Sequence, residues 1–473
     1  MQTLASYLNG QWFMPSGLIL PVYNPANGSL IAQLALGSPE DTHQAIQAAQ
    51  QAFPAYAQTP LAERIAYLEA LREAYARRRQ DLADAIRLEM GAPARFALNA
   101  QAESGLAHFD AHLQALRTFA FEYRINQSQI VHEPIGVVAL ITPWNWPMNQ
   151  LVVKVIPALA AGCTMVVKPS ELAPLSAQIF AELIDEIGLP AGVFNLLHGD
   201  GEGVGQTLSK HPEVAMVSFT GSMRAGVAIS KAAADTVKRV SLELGGKSPN
   251  LILRDADFPK AITQAVNYCM SNSGQSCDAP TRLYVPIERY TEALQQAKMA
   301  ALALKVGDPQ AADTDLGPVV SALHYERIQQ WIQIGIEEGA KLICGGLGKP
   351  EGLEQGHYVK ATVFGDVHQT MRIAREEIFG PVLVILPYQD EEELIQLAND
   401  SDYGLSAYIS STDPQHAASI ARRLRAGQVQ LNYPDWDLYA PFGGYKQSGN
   451  GREYAQWGLH DFLETKAIIG YPD

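Results

Sequence analysis

The chain has 473 residues, of which 47% are hydrophobic and 18% are charged, and its formal net charge is −15. This length predicts two or three domains, because one hydrophobic core rarely keeps growing beyond roughly 250–300 residues. The excess of negative charge disfavours contact with the phosphates of nucleic acids or with anionic membranes, so we expect neither as a partner.

The cysteines and basic residues favour a cytoplasmic protein. The four cysteines have neither the paired spacing of a metal site nor the density of a secreted disulfide framework. The sequence before Arg64 contains no Lys or Arg, so it lacks the positive segment of a secretory signal. We therefore expect a reducing environment and no metal centre.

Helical patterns dominate the first third of the sequence. Ser38 and Pro39 supply an N-cap and a proline at the first helical position, and Thr59 and Pro60 repeat this arrangement. The second pair precedes one long predicted helix, whose apolar residues recur at helical spacing until Gly91 ends it. The first third is accordingly predicted to be helical.

Short apolar runs alternate with segments of helical length from residue 135 onward, which predicts β-α-β units and a parallel sheet. The runs are 135–141, 164–167, 193–197 and 214–219. A second alternation extends from residue 250 to about 429 and predicts a second α/β domain. Segments 119–134 and 456–471 are strand-like and lie outside both alternations.

Three side chains along this pattern carry candidate chemistry. Cys277 is flanked by glycine and small polar residues, so we expect its segment to be exposed and the thiol to be a nucleophile. Glu243 closes a β-rich run and precedes two glycines, which favours a base beside a substrate. Asn145 follows the run 135–141, where its amide can donate to an oxyanion.

A turn after the run 214–219 suggests a phosphate site. Gly221 and Ser222 stand where a strand passes into a helix, and free backbone amides at a helix start favour anions. The glycine spacing is not the common dinucleotide pattern, so the turn alone is weak evidence.

The sequence resembles the NAD(P)-dependent aldehyde dehydrogenases over nearly its whole length. The resemblance rests on seven motifs in the order and spacing of that family: PWNWP (143–147), KPSE (168–171), FTGS (219–222), ELGGK (243–247), GQSC (274–277), EEIFGP (376–381) and PFGGYKQSG (441–449).

The resemblance implies an α/β fold with three parts. The first is a Rossmann-type NAD-binding domain, residues 1–117 and 135–244, and the second is an α/β catalytic domain, residues 245–440. A β oligomerisation arm, residues 118–134 and 455–473, would join subunits into a homodimer or homotetramer.

The resemblance also implies oxidation of an aldehyde to its acid. Cys277 would form a thiohemiacetal and then a thioester, Asn145 and the Cys277 N–H would hold the oxyanion, and Glu243 would activate the hydrolytic water. Lys154 and Glu453 match positions linked to proton transfer toward bulk water, and a structural ion pair is an equal alternative.

Seven positions match the cofactor site of the family: Trp144, Lys168, Glu171, Gly221, Ser222, Glu377 and Phe379. The carboxylate of Glu171 would accept from ribose hydroxyls and repel a 2′-phosphate, so NAD is favoured. NADP stays possible because Lys168 can offset that repulsion.

Substrate-tunnel candidates, by position in the family, are Trp146, Gln150, Val153, Asp278, Tyr433, Trp436 and Phe442. This mixed aromatic and polar lining suggests a medium-sized aliphatic or aromatic aldehyde, or one with a polar tail such as an oxo acid. Asp278 departs from the family pattern, and we expect its carboxylate to point outward or to meet a polar substrate group, because beside Cys277 it would raise the thiol pKa.

Three alternative functions remain at this point. A CoA-acylating aldehyde dehydrogenase would keep the nucleophile and the NAD site, but it has no need for the base Glu243. A cysteine esterase or hydrolase would have no need for a cofactor site. A non-catalytic protein of the same fold would have no need for the set of Asn145, Glu243 and Cys277.

Overall fold

The computed structural model describes residues 3–472, which form four β-sheets covered by helices. Within this part of the chain the strands are β1 (Thr3–Leu4), β2 (Ser6–Leu8), β3 (Gln11–Phe13), β4 (Ile19–Tyr23), β5 (Leu30–Ala35), β6 (Glu122–Ile125), β7 (Ser128–Pro134), β8 (Val137–Ile141), β9 (Thr164–Lys168), β10 (Phe194–Leu196), β11 (Met216–Thr220), β12 (Arg239–Glu243), β13 (Pro249–Ile252), β14 (Arg282–Pro286), β15 (Lys341–Cys344), β16 (Thr362–Gly365), β17 (Val382–Tyr388), β18 (Ser406–Ser410), β19 (Gln428–Leu431) and β20 (Leu463–Ile469).

The α-helices of the same residues are α1 (Pro39–Tyr56), α2 (Leu61–Arg77), α3 (Arg79–Met90), α4 (Ala94–Phe96), α5 (Glu103–Thr118), α6 (Pro147–Ala161), α7 (Pro174–Glu186), α8 (Gln206–Lys210), α9 (Met223–Ala233), α10 (Phe258–Met270), α11 (Tyr290–Ala303), α12 (Ala322–Glu337), α13 (Arg372–Arg375), α14 (Glu391–Asn399), α15 (Pro414–Ala421) and α16 (Ala455–Asp461). None of the helices in residues 3–472 is long and apolar enough to cross a membrane.

The first large sheet has the strand order β12-β11-β8-β9-β10-β2-β3. Its pairs from β12 to β10 are parallel, and the predicted β-α-β units are confirmed, because α6 connects β8 to β9 and α7 connects β9 to β10. The central parallel strands β8 to β11 are fully buried, as parallel sheets covered on both faces require. The carboxyl ends of β8, β9, β11 and β12 therefore lie along one edge.

The second large sheet has the order β15-β16-β17-β14-β13-β18-β19, and β15 is its one antiparallel strand. The adjacent parallel strands β14 and β17 are each preceded by a motif loop, GQSC before β14 and EEIFGP before β17. The amino ends of these two strands thus place the two loops side by side.

A small antiparallel sheet, β20-β7-β6, stands apart from the two large sheets. The full length of β20 pairs with β7, from Leu463 opposite Pro134 to Ile469 opposite Ser128. The strand-like character predicted for 119–134 is confirmed. The tail differs from prediction at its start, because residues 455–461 form α16 and the strand begins only at Leu463.

Three expectations about the first third were wrong. Residues 3–35 form β1 to β5, and β2 pairs with β10 about 190 residues away. The long helix after Pro60 is two helices, α2 and α3, separated at Arg78. Thr59 does not cap α2, whereas Ser38 caps α1 in a complete capping box and Gly91 ends α3 in the left-handed conformation, φ 83°, as predicted.

Candidate active site

The edge formed by the carboxyl ends of the first sheet collects several predicted residues. Asn145 follows β8, Lys168 ends β9, Gly221 follows β11 and Glu243 ends β12. In open α/β sheets such an edge is where ligands bind. The GQSC loop of the second sheet faces it, because Asn145 Nδ2 donates to the carbonyl of Gln275 at 3.0 Å.

A network of buried amides fixes this loop. Asn272 Nδ2 and Gln101 Nε2 each donate to the Asn145 carbonyl at 3.0 Å, and Gln101 Nε2 also donates to Asn272 Oδ1 at 3.1 Å. Asn272 and Ser273 adopt left-handed conformations, φ 56° and 54°, which the network holds in place. The expectation of an exposed segment was wrong, since residues 272–275 are buried.

Glycine permits the close approach of the two motif loops. A Cβ on Gly274 would lie 2.1 Å from the backbone of Gly380, which belongs to the EEIFGP motif. Any larger residue at position 274 would push the loops apart. Cys277, three residues further along, is half-buried.

Two cavities of about 220 Å³ each meet at Cys277. The first cavity is lined by Pro143, Trp144, Asn145, Thr220, Gly221, Ser222, Glu243, Leu244, Gly245, Cys277, His324, Arg327, Glu377 and Phe379. The second cavity is lined by Phe96, Trp146, Asn149, Gln150, Tyr268, Ser271, Ser276, Cys277, Asp278, Gln428, Gln430, Trp436, Phe442 and Tyr454.

Glu243 is a buried carboxyl group without a hydrogen bond to residues 3–472 at either oxygen. Burial raises the pKa of this carboxyl well above its usual range, and the negative charge of Glu453 adds to the effect, while Lys154 opposes it. A Cβ on Gly443 would lie 2.6 Å from Glu243 Oε1, so glycine leaves room for the carboxyl there. Such a group is suited to exchange protons with water at the wall of the first cavity.

Three carboxyl groups lie near the Cys277 thiol. Burial raises the pKa of Cys277 well above its usual range, and the carboxyl groups of Asp278, Glu377 and Glu243 raise it further. A thiol in this environment keeps its proton until a base removes it or a cation approaches.

Asp278 is held by a tyrosine. The hydroxyl of Tyr408 lies 3.1 Å from the Asp278 carbonyl oxygen and 3.2 Å from its Oδ2. Burial raises the pKa of the Asp278 carboxyl. The alternative that this side chain simply points outward is wrong, because it lines the second cavity.

Lys154 and Glu453 form a buried ion pair behind Glu243. Lys154 Nζ lies 2.5 Å from Glu453 Oε1 and 3.2 Å from Ser218 Oγ. The side chains of the pair are 1% and 7% exposed. The structure therefore contains the ion pair, and this contact is compatible with proton transfer as well.

Glu377 and Phe379 enter the first cavity from the EEIFGP loop. Glu377 Oε1 accepts from the Gly246 N–H at 3.0 Å, and burial raises the pKa of Glu377 to about 7. Phe379 has a left-handed backbone, φ 58°, and its carbonyl lies 2.7 Å from His324 Nε2. His324 also contacts Trp144 edge to face, with ring centroids 5.3 Å apart.

The other cofactor candidates divide into two groups. Ser222 caps α9 by accepting from the Ala225 N–H at 3.3 Å, and it lines the first cavity together with Gly221. Lys168 and Glu171 lie outside that lining and form an ion pair at 3.5 Å, with the Glu171 side chain 38% exposed. Burial lowers the pKa of Lys168, and Glu171 opposes this shift.

Five tunnel candidates line the second cavity, namely Trp146, Gln150, Asp278, Trp436 and Phe442. Two others do not. Val153 packs in a cluster with Phe442, and the Tyr433 hydroxyl accepts from Asn250 Nδ2 at 2.6 Å.

Sequence reasoning missed several lining residues. His324 and Arg327 come from the first two turns of α12, and Phe96 comes from α4, far along the chain from any motif. Asn149 had a usable signal, since it precedes the candidate Gln150 on α6.

Comparison with known proteins identifies the family of the chain. The model of the aldehyde dehydrogenase family matches residues 12–468. A relative from Pseudomonas sp., 3-succinoylsemialdehyde-pyridine dehydrogenase, is 51% identical over 467 residues, which are 98% of each chain.

Solved structures show the same fold. A mutant of aldehyde dehydrogenase C from Pseudomonas syringae, in complex with NAD+ and octanal, has a TM-score of 0.98 and 48% identity, covering 99% of this chain and 97% of that chain. An aldehyde dehydrogenase from Bartonella henselae has a TM-score of 0.98 and 49% identity over 100% of both chains. The fold class expected from the motifs is confirmed, and the chain belongs to the aldehyde dehydrogenase family.

Proposed function

We propose that this enzyme oxidises an aldehyde to the carboxylic acid with NAD as the hydride acceptor. The observation that carries the proposal is the position of Cys277, whose thiol lies where the two cavities meet. One cavity holds motif residues of the cofactor site, and the other has the aromatic walls of a site for an organic chain. The relative crystallised with NAD+ and octanal supports both assignments.

The first cavity fits a dinucleotide. Gly221 and Ser222 lie at the start of the eleven-residue helix α9, where backbone N–H groups favour a phosphate. A side chain at position 245 would collide with Glu377, because a Cβ there would lie 2.1 Å from Glu377 Oε2, so glycine keeps this wall of the cavity open. Glu377 would accept from ribose hydroxyls, and Trp144 and Phe379 would enclose the nicotinamide end. NAD, when bound, takes the aldehyde hydrogen as hydride.

The chain's own residues perform the remaining chemistry. The Cys277 thiol first loses its proton to solvent water, and the sulfur then bonds to the aldehyde carbon. The Asn145 amide and the Cys277 N–H hold the oxyanion of the adduct. After hydride leaves, a thioester remains on Cys277. Glu243 then takes a proton from water, which attacks the thioester, releases the acid and restores the thiol.

The Lys154–Glu453 pair supports a route for that proton. Glu453 raises the pKa of Glu243, so the two carboxyl groups interact electrostatically within the buried interior. The pair could pass protons outward from Glu243 or simply neutralise the buried charges, and both roles require the same contact.

NAD is favoured over NADP by Glu171. Its carboxylate is partly exposed beside Lys168, where it can accept from the hydroxyls of the adenosine ribose. A 2′-phosphate would meet the same negative charge, although Lys168 lies 3.5 Å away and reduces the repulsion.

The second cavity suits a medium-sized aliphatic or aromatic aldehyde. Its walls contain six aromatic side chains, from Phe96, Trp146, Tyr268, Trp436, Phe442 and Tyr454. The relative crystallised with octanal and the relative named for a pyridine semialdehyde fit this class of substrate.

The domain boundaries, the oligomer and the cytoplasmic location extend the proposal. We assign residues 1–117 and 135–244 to cofactor binding, 245–440 to catalysis, and 118–134 with 455–473 to an arm between subunits. Exposed apolar side chains on the small sheet, including Ile125 at 51% and Ile469 at 84%, support the arm as a contact surface. A light-scattering mass equal to that of a monomer would contradict the proposed oligomer.

The cysteines support the cytoplasmic location, because four free thiols agree with a reducing cytoplasm.

NADH formation across a panel of aldehydes, with NAD or NADP and with or without CoA, tests the proposal. Turnover without CoA is expected. Turnover only with CoA would instead indicate the acylating enzyme, and ester hydrolysis without any NADH formation would indicate the hydrolase.

A further inference from the structure

A buried histidine lies directly behind the wall of the second cavity. His108 is on α5 and is fully buried. Its ring centroid is 4.6 Å from that of Tyr454 and 5.4 Å from that of Trp436, and both of these residues line the cavity. His108 takes no part in the chemistry proposed for Cys277 and Glu243, so the polar contact of His108 requires another explanation.

His108 makes one side-chain hydrogen bond, and this bond goes to a cavity residue. Its Nε2 lies 2.7 Å from Asn149 Oδ1, and Nδ1 has no partner among residues 3–472. Burial lowers the pKa of His108 to about 3, so the imidazole is neutral and carries one proton. A carbonyl oxygen can only accept, and the proton therefore resides on Nε2.

This bond fixes the orientation of the Asn149 amide. Oδ1 faces His108, so Nδ2, the other polar atom of the planar amide, points away from His108. Nδ2 makes no hydrogen bond within the described residues, and Asn149 lines the second cavity. Asn149 therefore presents N–H donors to whatever fills the cavity.

The charge of the cavity selects among acceptors. Asp278 supplies a carboxyl group, and no Lys or Arg belongs to the lining formed by the described residues. A carboxylate tail on the substrate would have no cationic partner in this lining. A neutral carbonyl, ether or ring nitrogen needs no counter-ion and still accepts from Asn149.

We propose that the enzyme prefers aldehydes carrying a neutral hydrogen-bond acceptor within the chain, which the Asn149 amide receives in an orientation set by His108. His108 is a positioning residue, because it acts through Asn149. This inference rests on the proposed aldehyde oxidation and narrows its substrate class to keto, ether or N-heteroaryl aldehydes in preference to oxo acids.

Matched substrates test the preference in the unaltered enzyme. Straight-chain aldehydes are compared with analogues in which one methylene beyond the β carbon, at successive positions, is replaced by a ketone, and with ω-carboxylated aldehydes of equal length. We expect kcat/KM to be about tenfold higher for one keto isomer than for its methylene parent. No preference at any position, or a preference for the carboxylate, overturns the proposal. Absence of NADH with every aldehyde would instead overturn the proposed function.

Variants then test the two residues. Asn149→Leu and Asn149→Asp both remove the N–H donors, and each should reduce the keto-to-methylene ratio of kcat/KM to about one. His108→Leu should lower the same ratio, whereas His108→Gln, which places an amide N–H near the position of Nε2, should restore it. A thermal melt checks folding of each variant. A ratio unchanged in both Asn149 variants, or an equal ratio in His108→Leu and His108→Gln, contradicts the assigned roles.

Discussion

Lys154 and Glu453 are paired at 2.5 Å in the interior, although 299 residues separate them in the sequence. Lys154 comes from α6, which connects β8 to β9, and Glu453 follows the PFGGYKQSG motif. Removing one partner of a buried pair leaves the other charge without compensation. The pair thus ties the carboxyl-terminal segment to the helix that follows Asn145.

Lys154→Met is expected to lower the free energy of unfolding by about 3–5 kcal/mol, because Glu453 would remain buried without its cation. Urea denaturation measures the change. The matched control is Lys466→Met, which removes an ion pair with Glu133 whose side chains are 54% and 42% exposed, and which should cost about 1 kcal/mol or less. Equal losses in the two variants would contradict the role assigned to burial.

Cys277→Ser should abolish NADH formation, because the hydroxyl is a far weaker nucleophile than the thiol. NAD binding, measured by calorimetry, should persist. Cys344→Ser on the outer strand β15 serves as the control and should retain turnover. Full activity of Cys277→Ser would refute the nucleophile assignment.

Glu243→Gln should stop the reaction after hydride transfer. Stopped-flow mixing should show a burst of NADH followed by slow turnover, with acid release reduced by about 10²–10⁴-fold. Glu376→Gln, at an exposed carboxylate of the EEIFGP loop, is the control. Steady-state turnover equal to that of the unaltered enzyme would remove Glu243 from the hydrolytic step.

The pH dependence of acid release should follow Glu243. A general base works only when ionised, and burial raises the pKa of this carboxyl well above its usual range. The rate of acid release should therefore keep rising with pH beyond the range of an ordinary glutamate, and it should level off only above the raised pKa. A rate already constant from pH 5 upward would exclude this assignment.

Asn145→Ala should lower kcat by about 10²–10³-fold through loss of one oxyanion donor. Because Asn145 Nδ2 also bonds the Gln275 carbonyl, circular dichroism and a thermal melt should accompany the assay. A fall in kcat in a variant that melts like the unaltered enzyme supports the oxyanion role. A fall in stability with no change in kcat would assign Asn145 to loop structure alone.

Glu171→Gln should reduce the preference of the enzyme for NAD over NADP. Removing the carboxylate removes the repulsion of a 2′-phosphate, while Lys168 remains. The ratio of kcat/KM with NAD to that with NADP should fall about tenfold, equivalent to ~1.4 kcal/mol. An unchanged ratio would place the discrimination elsewhere.

The sequence predicted those parts of the molecule that depend on local patterns. The strands from β8 to β11 were visible as apolar runs, and the structure brings Cys277, Glu243 and Asn145, which the motifs singled out, into the lining of one cavity. The pairing of β2 with β10 was not visible, because β2 has only three residues and its partner is about 190 residues away. Short strands stabilised by distant partners leave no periodic signal.

Side chains behind the cavity walls escaped prediction for a related reason. His108 lies among the buried residues of α5, where a histidine resembles any other core position. Only its contact with Asn149, across two packed helices, distinguishes it. The exposure expected for the Cys277 segment was wrong because a cavity, and not the outer surface, adjoins that loop.

The linings of the two cavities share a single residue within the described chain, Cys277. Substitutions in the wall of the second cavity can therefore accumulate without replacing any other residue that lines the first cavity. An enzyme with two such cavities can acquire new aldehyde substrates, by mutation or by directed evolution, while the lining of the first cavity stays unchanged. Trp146, Gln150 and Trp436 are the natural first positions for a library that seeks new substrates.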